Sequence, residues 1–174
     1  MKRHEKAIQQ EVFKTLLTGG KVTYVELDEQ YIGVTSDGYA MFPLLRKDIK
    51  FDLAKCKDAT ETLLAACKPS EQHVQIAPTN QARIINSSKK WYLRLFSGDG
   101  ARVWANPDIY KRFLEFEVEA SKYPVYRFYA KRERPEVNPI LIETKEGQFA
   151  ALVLPVRVSD EIIDIDDAKE AHNG

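Results

Sequence analysis

The chain holds little of what most often carries chemistry: two cysteines, three histidines, two methionines and two tryptophans in 174 residues. Cys56 and Cys67 sit in no metal-type cluster. On a helix they would share a face about 16 Å apart along the axis, too far to bridge, so they read as small packing residues near the helix ends. His4, His73 and His172 are scattered, without the spacing of a metal or acid–base constellation. No glycine-rich phosphate loop occurs, and no serine or cysteine stands in a nucleophile elbow. No apolar run is long enough to span a membrane. The first residues, Met1 to Lys6, are charged and lack the apolar core of a signal peptide. These absences lead us to expect a cytoplasmic protein with no membrane partner, no cofactor, no metal site and no catalytic residue. A metal-dependent nuclease is the one enzymatic alternative, suggested by Asp164, Asp166 and Asp167. Those residues lie in a polar tail, and a solvated acidic tail is the favoured reading.

Net charge is also missing. The 26 basic and 26 acidic residues cancel, which by itself argues against a dedicated nucleic-acid binder. The distribution is uneven, however. From Ser159 to Gly174 six acids face Lys169 alone, a balance of −5, so residues 1–158 carry +5 to sum to zero. A mildly basic body is compatible with phosphate contact. Ile162, Ile163 and Ile165, set among the acids, would let the tail dock back and shield a basic face. With 44% hydrophobic and 30% charged residues, the rest reads as one soluble domain with a real core. We expect a domain over 1–158 and an acidic tail over 159–174.

Periodicity places the elements. Lys2 to Thr18 reads as an amphipathic helix stopped by Gly19 and Gly20, with Ile8, Val12 and Leu16 on one face. Arg3, Gln10 and Lys14 cluster away from that face, with Lys6 near their edge. Lys21–Leu27 and Tyr31–Thr35 form a hairpin, and Asp37-Gly38 turns into Tyr39–Leu45. Asp58-Ala59-Thr60-Glu61 resembles a capping box opening a short helix that ends before Pro69. His73–Ala77 and Ala82–Ile85 read as strands around a turn at Pro78–Gln81. Trp91–Phe96 and Ala101–Trp104 pair across Ser97–Gly100. Asn106 and Pro107 open a second helix reaching about Tyr123, with Ile109, Phe113, Phe116 and Ala120 on one face. Val125–Ala130, Pro139–Glu143 and Gln148–Leu154 are the closing strands.

Three short motifs in this order are similar to the bacterial DNA sliding clamp, the replication processivity factor. They are Asn106-Pro107-Asp108-Ile109-Tyr110, Asn138-Pro139-Ile140-Leu141 and Leu154-Pro155-Val156-Arg157. Val34-Thr35-Ser36-Asp37-Gly38-Tyr39-Ala40-Met41 resembles the family's "Thr-Asp-Gly" turn, with Ser36 for threonine and Ala40 for arginine. The resemblance implies an α+β fold: antiparallel sheets with two main helices on one side, built as two helix-plus-meander halves. Arg46 to Ser70 exceeds a minimal clamp domain and reads as an insertion. Cellular clamps are rings of six such domains, so a one-domain chain would self-associate, pair with a partner, or have abandoned the ring. Its small size suggests a phage or mobile-element protein.

The resemblance further implies two surfaces. Helices lining a clamp ring meet duplex DNA through phosphate-directed cations without reading bases. The matching residues are Arg3, Lys6 and Lys14 from the first helix and Lys111 and Arg112 from the second. The second helix is not a clean basic lining, because Asp108, Glu115, Glu117 and Glu119 outnumber its cations. The family's peptide groove, which captures linear segments of polymerases and other replication proteins, maps onto Ser36, Gly38, Tyr39 and Met41 with Leu154, Pro155, Val156 and Arg157. The plainer reading of those eight is turn and core-strand residues. Two functions stay open: a non-enzymatic clamp-like factor acting on DNA or the replication machinery, and an interaction module of the same fold without DNA binding.

Overall fold

The structure is a computed structural model that describes residues 2–59, 61–86, 91–108, 126–157 and 163–164. Helix α1 spans Arg3–Leu17. The Glu5 carboxylate accepts the Lys2 backbone N–H at 2.8 Å and closes its first turn. Gly19, at φ 75°, ends it. Ile8 and Val12, one turn apart, are buried, and each contributes about 1.5–3 kcal/mol by leaving water.

The strands are β1 (Thr23–Glu26), β2 (Tyr31–Thr35), β3 (Ala40–Leu45), β4 (Lys57–Asp58), β5 (His73–Asn86) and β6 (Trp91–Gly98). They continue with β7 (Ala101–Ala105), β8 (Tyr126–Lys131), β9 (Ile140–Thr144), β10 (Phe149–Val153) and β11 (Ile163–Asp164). Helix α2 is Glu61–Ala66. The described strands join one sheet in the order β4-β1-β2-β3-β10-β9-β8-β5-β6-β7, with β11 against β5. The fold is α+β, and the sheet is mixed rather than purely antiparallel, because β4 runs parallel to β1. Two meanders, β1–β3 and β8–β10, meet through their last strands, with Met41 opposite Leu152 and Ala40 opposite Val153.

Alternation along the strands sends two sets of apolar side chains to opposite faces. Val34, Phe42, Phe128 and Ile142 join Ile8 and Val12 in the larger core. Val25, Met41, Leu141 and Leu152 face the other way, where Leu63, Leu64 and Ala66 of α2 cover them. Helix α1 and the short α2 therefore lie on opposite faces. The expected second main helix starts as read, since the Asp108 N–H donates to Asn106 Oδ1 at 3.0 Å. Its remainder, 109–123, lies outside the described residues.

Two further expectations change, and the packing of residues 46–70 is defined. The turn at Pro78–Gln81 is instead a register shift inside the continuous β5. The Thr79 hydroxyl donates to the Leu95 carbonyl at 2.8 Å and keeps the bend attached to β6. Residues 46–70 are woven into the domain: Phe51, Ile49 and Leu53 join one core and Cys67 the other. Gln9 fastens this segment to α1, its amide donating to the Asp48 carbonyl at 2.8 Å and accepting the Lys50 N–H at 3.0 Å. Finally, Cys56 and Cys67 are free and share no helix; Cys56 precedes β4 and Cys67 follows α2. Burial pushes the Cys67 thiol up to about 12, leaving it protonated and inert.

Candidate functional site

The two segments matched to a peptide groove lie side by side in this single chain. The Asp37 carboxylate accepts the Tyr39 N–H at 2.8 Å, and the Gly38 N–H donates to the Thr35 hydroxyl at 3.0 Å. Gly38 adopts φ 78°, which costs glycine nothing and another residue about 1 kcal/mol. This tight turn projects Tyr39, 61% exposed. Its carbonyl accepts the Leu154 N–H at 2.8 Å, extending the β3–β10 ladder by one bond. Leu154 is 36% exposed, Pro155 and Val156 are half-buried, and Arg157 is exposed. Val156 N–H then donates to the Trp104 carbonyl at 2.8 Å, tying the segment to the edge of β7. Trp104 is half-buried and was not among the expected site residues.

Not all eight expected residues reach this surface. Met41 is 2% exposed and packs on the α2 side of the sheet. There it lies so close to Gly33 that a Cβ on Gly33 would meet its sulfur at 2.9 Å. It is a support for the turn rather than a contact residue. Ser36 is half-buried beside the turn. What remains is a partly apolar rim of Tyr39, Leu154, Pro155 and Val156 ending at Trp104.

The second surface is the outer face of α1. Arg3, Lys6, Gln10, Phe13, Lys14 and Leu17 are all exposed, at the spacing that aligns residues on one side of a helix. Leu17 is 84% exposed and Phe13 40%, the latter edge-on to Phe51 with ring centroids 6.3 Å apart. The expected contacts Arg3, Lys6 and Lys14 thus share one solvent-facing stripe. Lys111 and Arg112 lie outside the described residues.

Sequence reasoning missed two polar arrangements. Glu143, 7% exposed, stands opposite Arg127 across the β8–β9 ladder. Burial raises its carboxyl above the usual range, while the Arg127 charge and the Tyr129 hydroxyl act in the opposite direction. His73 Nδ1 accepts the Ser70 N–H at 3.0 Å and lies 3.0 Å from the Ser70 hydroxyl. Burial and then Lys131 hold its pKa below the ordinary 6.5. Ser70 and His73 close a local turn, since the His73 N–H also donates to the Ser70 carbonyl at 3.0 Å. A cross-strand carboxylate and a local histidine leave no trace in sequence spacing.

Among the described residues, no group of three or more His, Cys, Asp or Glu could hold a metal ion. No described helix is long and apolar enough to cross a membrane. Comparison with protein-family models, with curated proteins and with solved structures gives no match.

Proposed function

We propose that the chain is a non-enzymatic, clamp-like factor that contacts duplex DNA through the outer face of α1. The observation that carries this reading is the alignment of Arg3, Lys6 and Lys14 along one exposed helical stripe. Such a stripe suits the regularly spaced phosphates of a duplex and carries no base-reading chemistry. The mildly basic balance of residues 1–158 supports it. Three phosphate contacts give a salt dependence of slope about −3 in log affinity against log salt. Fluorescence anisotropy with a labelled duplex at low salt tests this. Replacing Arg3, Lys6 and Lys14 together by glutamate should lower affinity at least tenfold and flatten the slope. Absence of DNA affinity at low salt, or indifference to the triple replacement, overturns the reading.

A second reading is favoured by a separate observation, the direct junction of Tyr39 with Leu154. In it the chain is an interaction module of the same fold, for example one that binds or mimics a host clamp, without engaging DNA. Binding of a clamp-directed polymerase peptide, lost on Tyr39→Arg and unaccompanied by salt-dependent DNA affinity, would move the conclusion to this second reading.

A further inference from the structure

Alternation in the middle of the sheet gathers cations and rings on one face. On β8, Tyr126, Phe128 and Ala130 point into the core that α1 covers. Arg127, Tyr129 and Lys131 therefore point the other way, toward the α2 side. On β5, Val74 and Ile76 join the same core, which sends His73, Gln75 and Ala77 to the α2 side as well. β6 and β7 repeat the pattern. Phe96 and Val103 are paired and belong to the α1 core, so the next pair, Ser97 opposite Arg102, turns outward with the rest.

The register brings these residues together. Lys131 lies opposite His73, and Tyr129 opposite Gln75. Ala77 follows on β5 and meets Ser97 on its other side, beyond which lies Arg102. Arg127, Gln75, Ala77 and Arg102 are all exposed, although β5 runs through the interior of the sheet. The small side chains of Ala77 and Ser97 make a floor between Arg127 on β8 and Arg102 on β7. Neighbouring strands lie about 4.8 Å apart, so three strand spacings set the two arginines about 14 Å apart across that floor.

Two rings complete the face. Tyr129 packs at the border of the α2 cluster, and its hydroxyl bonds to Glu143, a carboxylate 7% exposed. Burial and then Lys131 hold the His73 pKa below 6.5, so at neutral pH it stands as an uncharged ring. Cations around a floor of small side chains, with rings beside them, suit a flexible chain of phosphates and bases. A duplex keeps its bases stacked inside and offers these rings nothing. An acidic peptide offers charge but no base to stack.

We propose that this face of β5, β6, β7 and β8 binds single-stranded nucleic acid. Arg102, Arg127 and Lys131 take phosphates, and Tyr129 and His73 stack on bases. Recognition is tolerant of sequence, because every base has a face to stack. The site lies across the sheet from α1, so it is distinct from the α1 stripe and does not depend on the duplex reading.

Fluorescence anisotropy with a labelled oligothymidine of about twelve nucleotides, within the span of single-strand sites, tests this. The intact chain should bind it at low salt, with a slope of about −2 in log affinity against log salt from three phosphate contacts. Replacing Arg102, Arg127 and Lys131 together by glutamine leaves both cores intact. It should lower affinity at least tenfold and flatten the slope. Tyr129→Phe keeps the ring and should bind as the parent does, whereas Tyr129→Leu should lose about fivefold or more, the low end of base–ring stacking. Replacing Arg3, Lys6 and Lys14 by glutamate should leave oligothymidine binding unchanged, which separates this site from the duplex-binding face. No binding at low salt, indifference to the triple glutamine replacement, or equal binding by the two Tyr129 variants overturns the proposal. So does a loss in the α1 variant as large as in the glutamine variant. Polyglutamate that displaces the labelled strand as well as unlabelled oligothymidine does also overturns it, and makes an acidic peptide the occupant.

Discussion

At the scale of single residues, the most consequential side chain is one whose sequence position suggests nothing. Gln9 lies one residue after Ile8 on α1 and is 4% exposed. Glutamine supplies a donor and an acceptor from one rigid amide, and here each meets a backbone group of the segment beyond β3. Gln9→Ala leaves the Asp48 carbonyl and the Lys50 N–H without that partner in a part-buried place. The expected cost is about 2–6 kcal/mol, the sum of two unmet backbone groups, toward the lower end because the place is only part-buried. Gln9→Leu fills the volume yet should lose nearly as much, because polarity rather than packing is what the site requires. Urea unfolding checks this, as a fall in midpoint at unchanged slope. Two variants within 0.5 kcal/mol of the parent, roughly the scatter of surface substitutions, would refute the role. Helical periodicity locates Ile8 and Val12 from the sequence, but it reads a glutamine beside them as a solvent residue. The same limit hides Met41, whose place in the turn motif suggests a contact residue while strand alternation buries it against Gly33.

At the scale of elements, the strands with clear alternation or a good turn are legible: β1 to β3, β6 to β10, and α1. Asp28 and Asp37 mark their turns because each carboxylate accepts backbone N–H groups two and three residues on. β4 and β11 are two residues long, too short for any periodic signal. β5 misleads for a different reason. Pro78-Thr79-Asn80 has the composition of a turn, yet the strand continues because Thr79 is bonded to β6 and the bulge absorbs the missing proline donor. Of the candidate site, the turn at Gly38 and the α1 cations could be placed in advance. The contact between Tyr39 and Leu154 could not, because it depends on β3 meeting β10 across more than a hundred residues of chain.

The close approach of β5 and β6 just before the bend requires Gly98 at the end of β6. A Cβ there would run into the Gln75 carbonyl oxygen, with Ile76 Cα close behind at 3.1 Å. Both obstacles are backbone, so no rotamer relieves them. Gly98→Ala must push β5 away from β6 and disturb the neighbouring β8 ladder. The expected destabilisation is about 3 kcal/mol or more, at the upper end for overpacking. Gly100→Ala offers a control, because it meets only the φ 81° penalty and open space. Thermal unfolding should rank Gly98→Ala well below Gly100→Ala, and the reverse order would show that β5 yields easily.

At the scale of the whole molecule, the question is whether the two meanders are one body. Their ladder contact is narrow: two residue pairs and the Leu154-to-Tyr39 bond. Pro43, which has no N–H, sits two residues beyond the last pair in β3. A seam this short would not by itself bind the halves together. The larger core is what does so. Val34 and Phe42 from one meander and Phe128, Ile142 and Val153 from the other belong to the same buried cluster, and α1 packs on it. On the opposite face, Met41 and Val25 share a second cluster with Leu141 and Leu152. Each face therefore crosses the seam, and exposing either half strips apolar cover from the other. The expectation is a single cooperative unfolding transition. Far-UV circular dichroism samples all strands, whereas tryptophan fluorescence reports on β6 and β7, where Trp91 and Trp104 lie. The two urea midpoints should coincide. A fluorescence midpoint displaced from the dichroism midpoint would mean that the β6–β7 end opens by itself, so that the rim at Trp104 belongs to a separately folding unit.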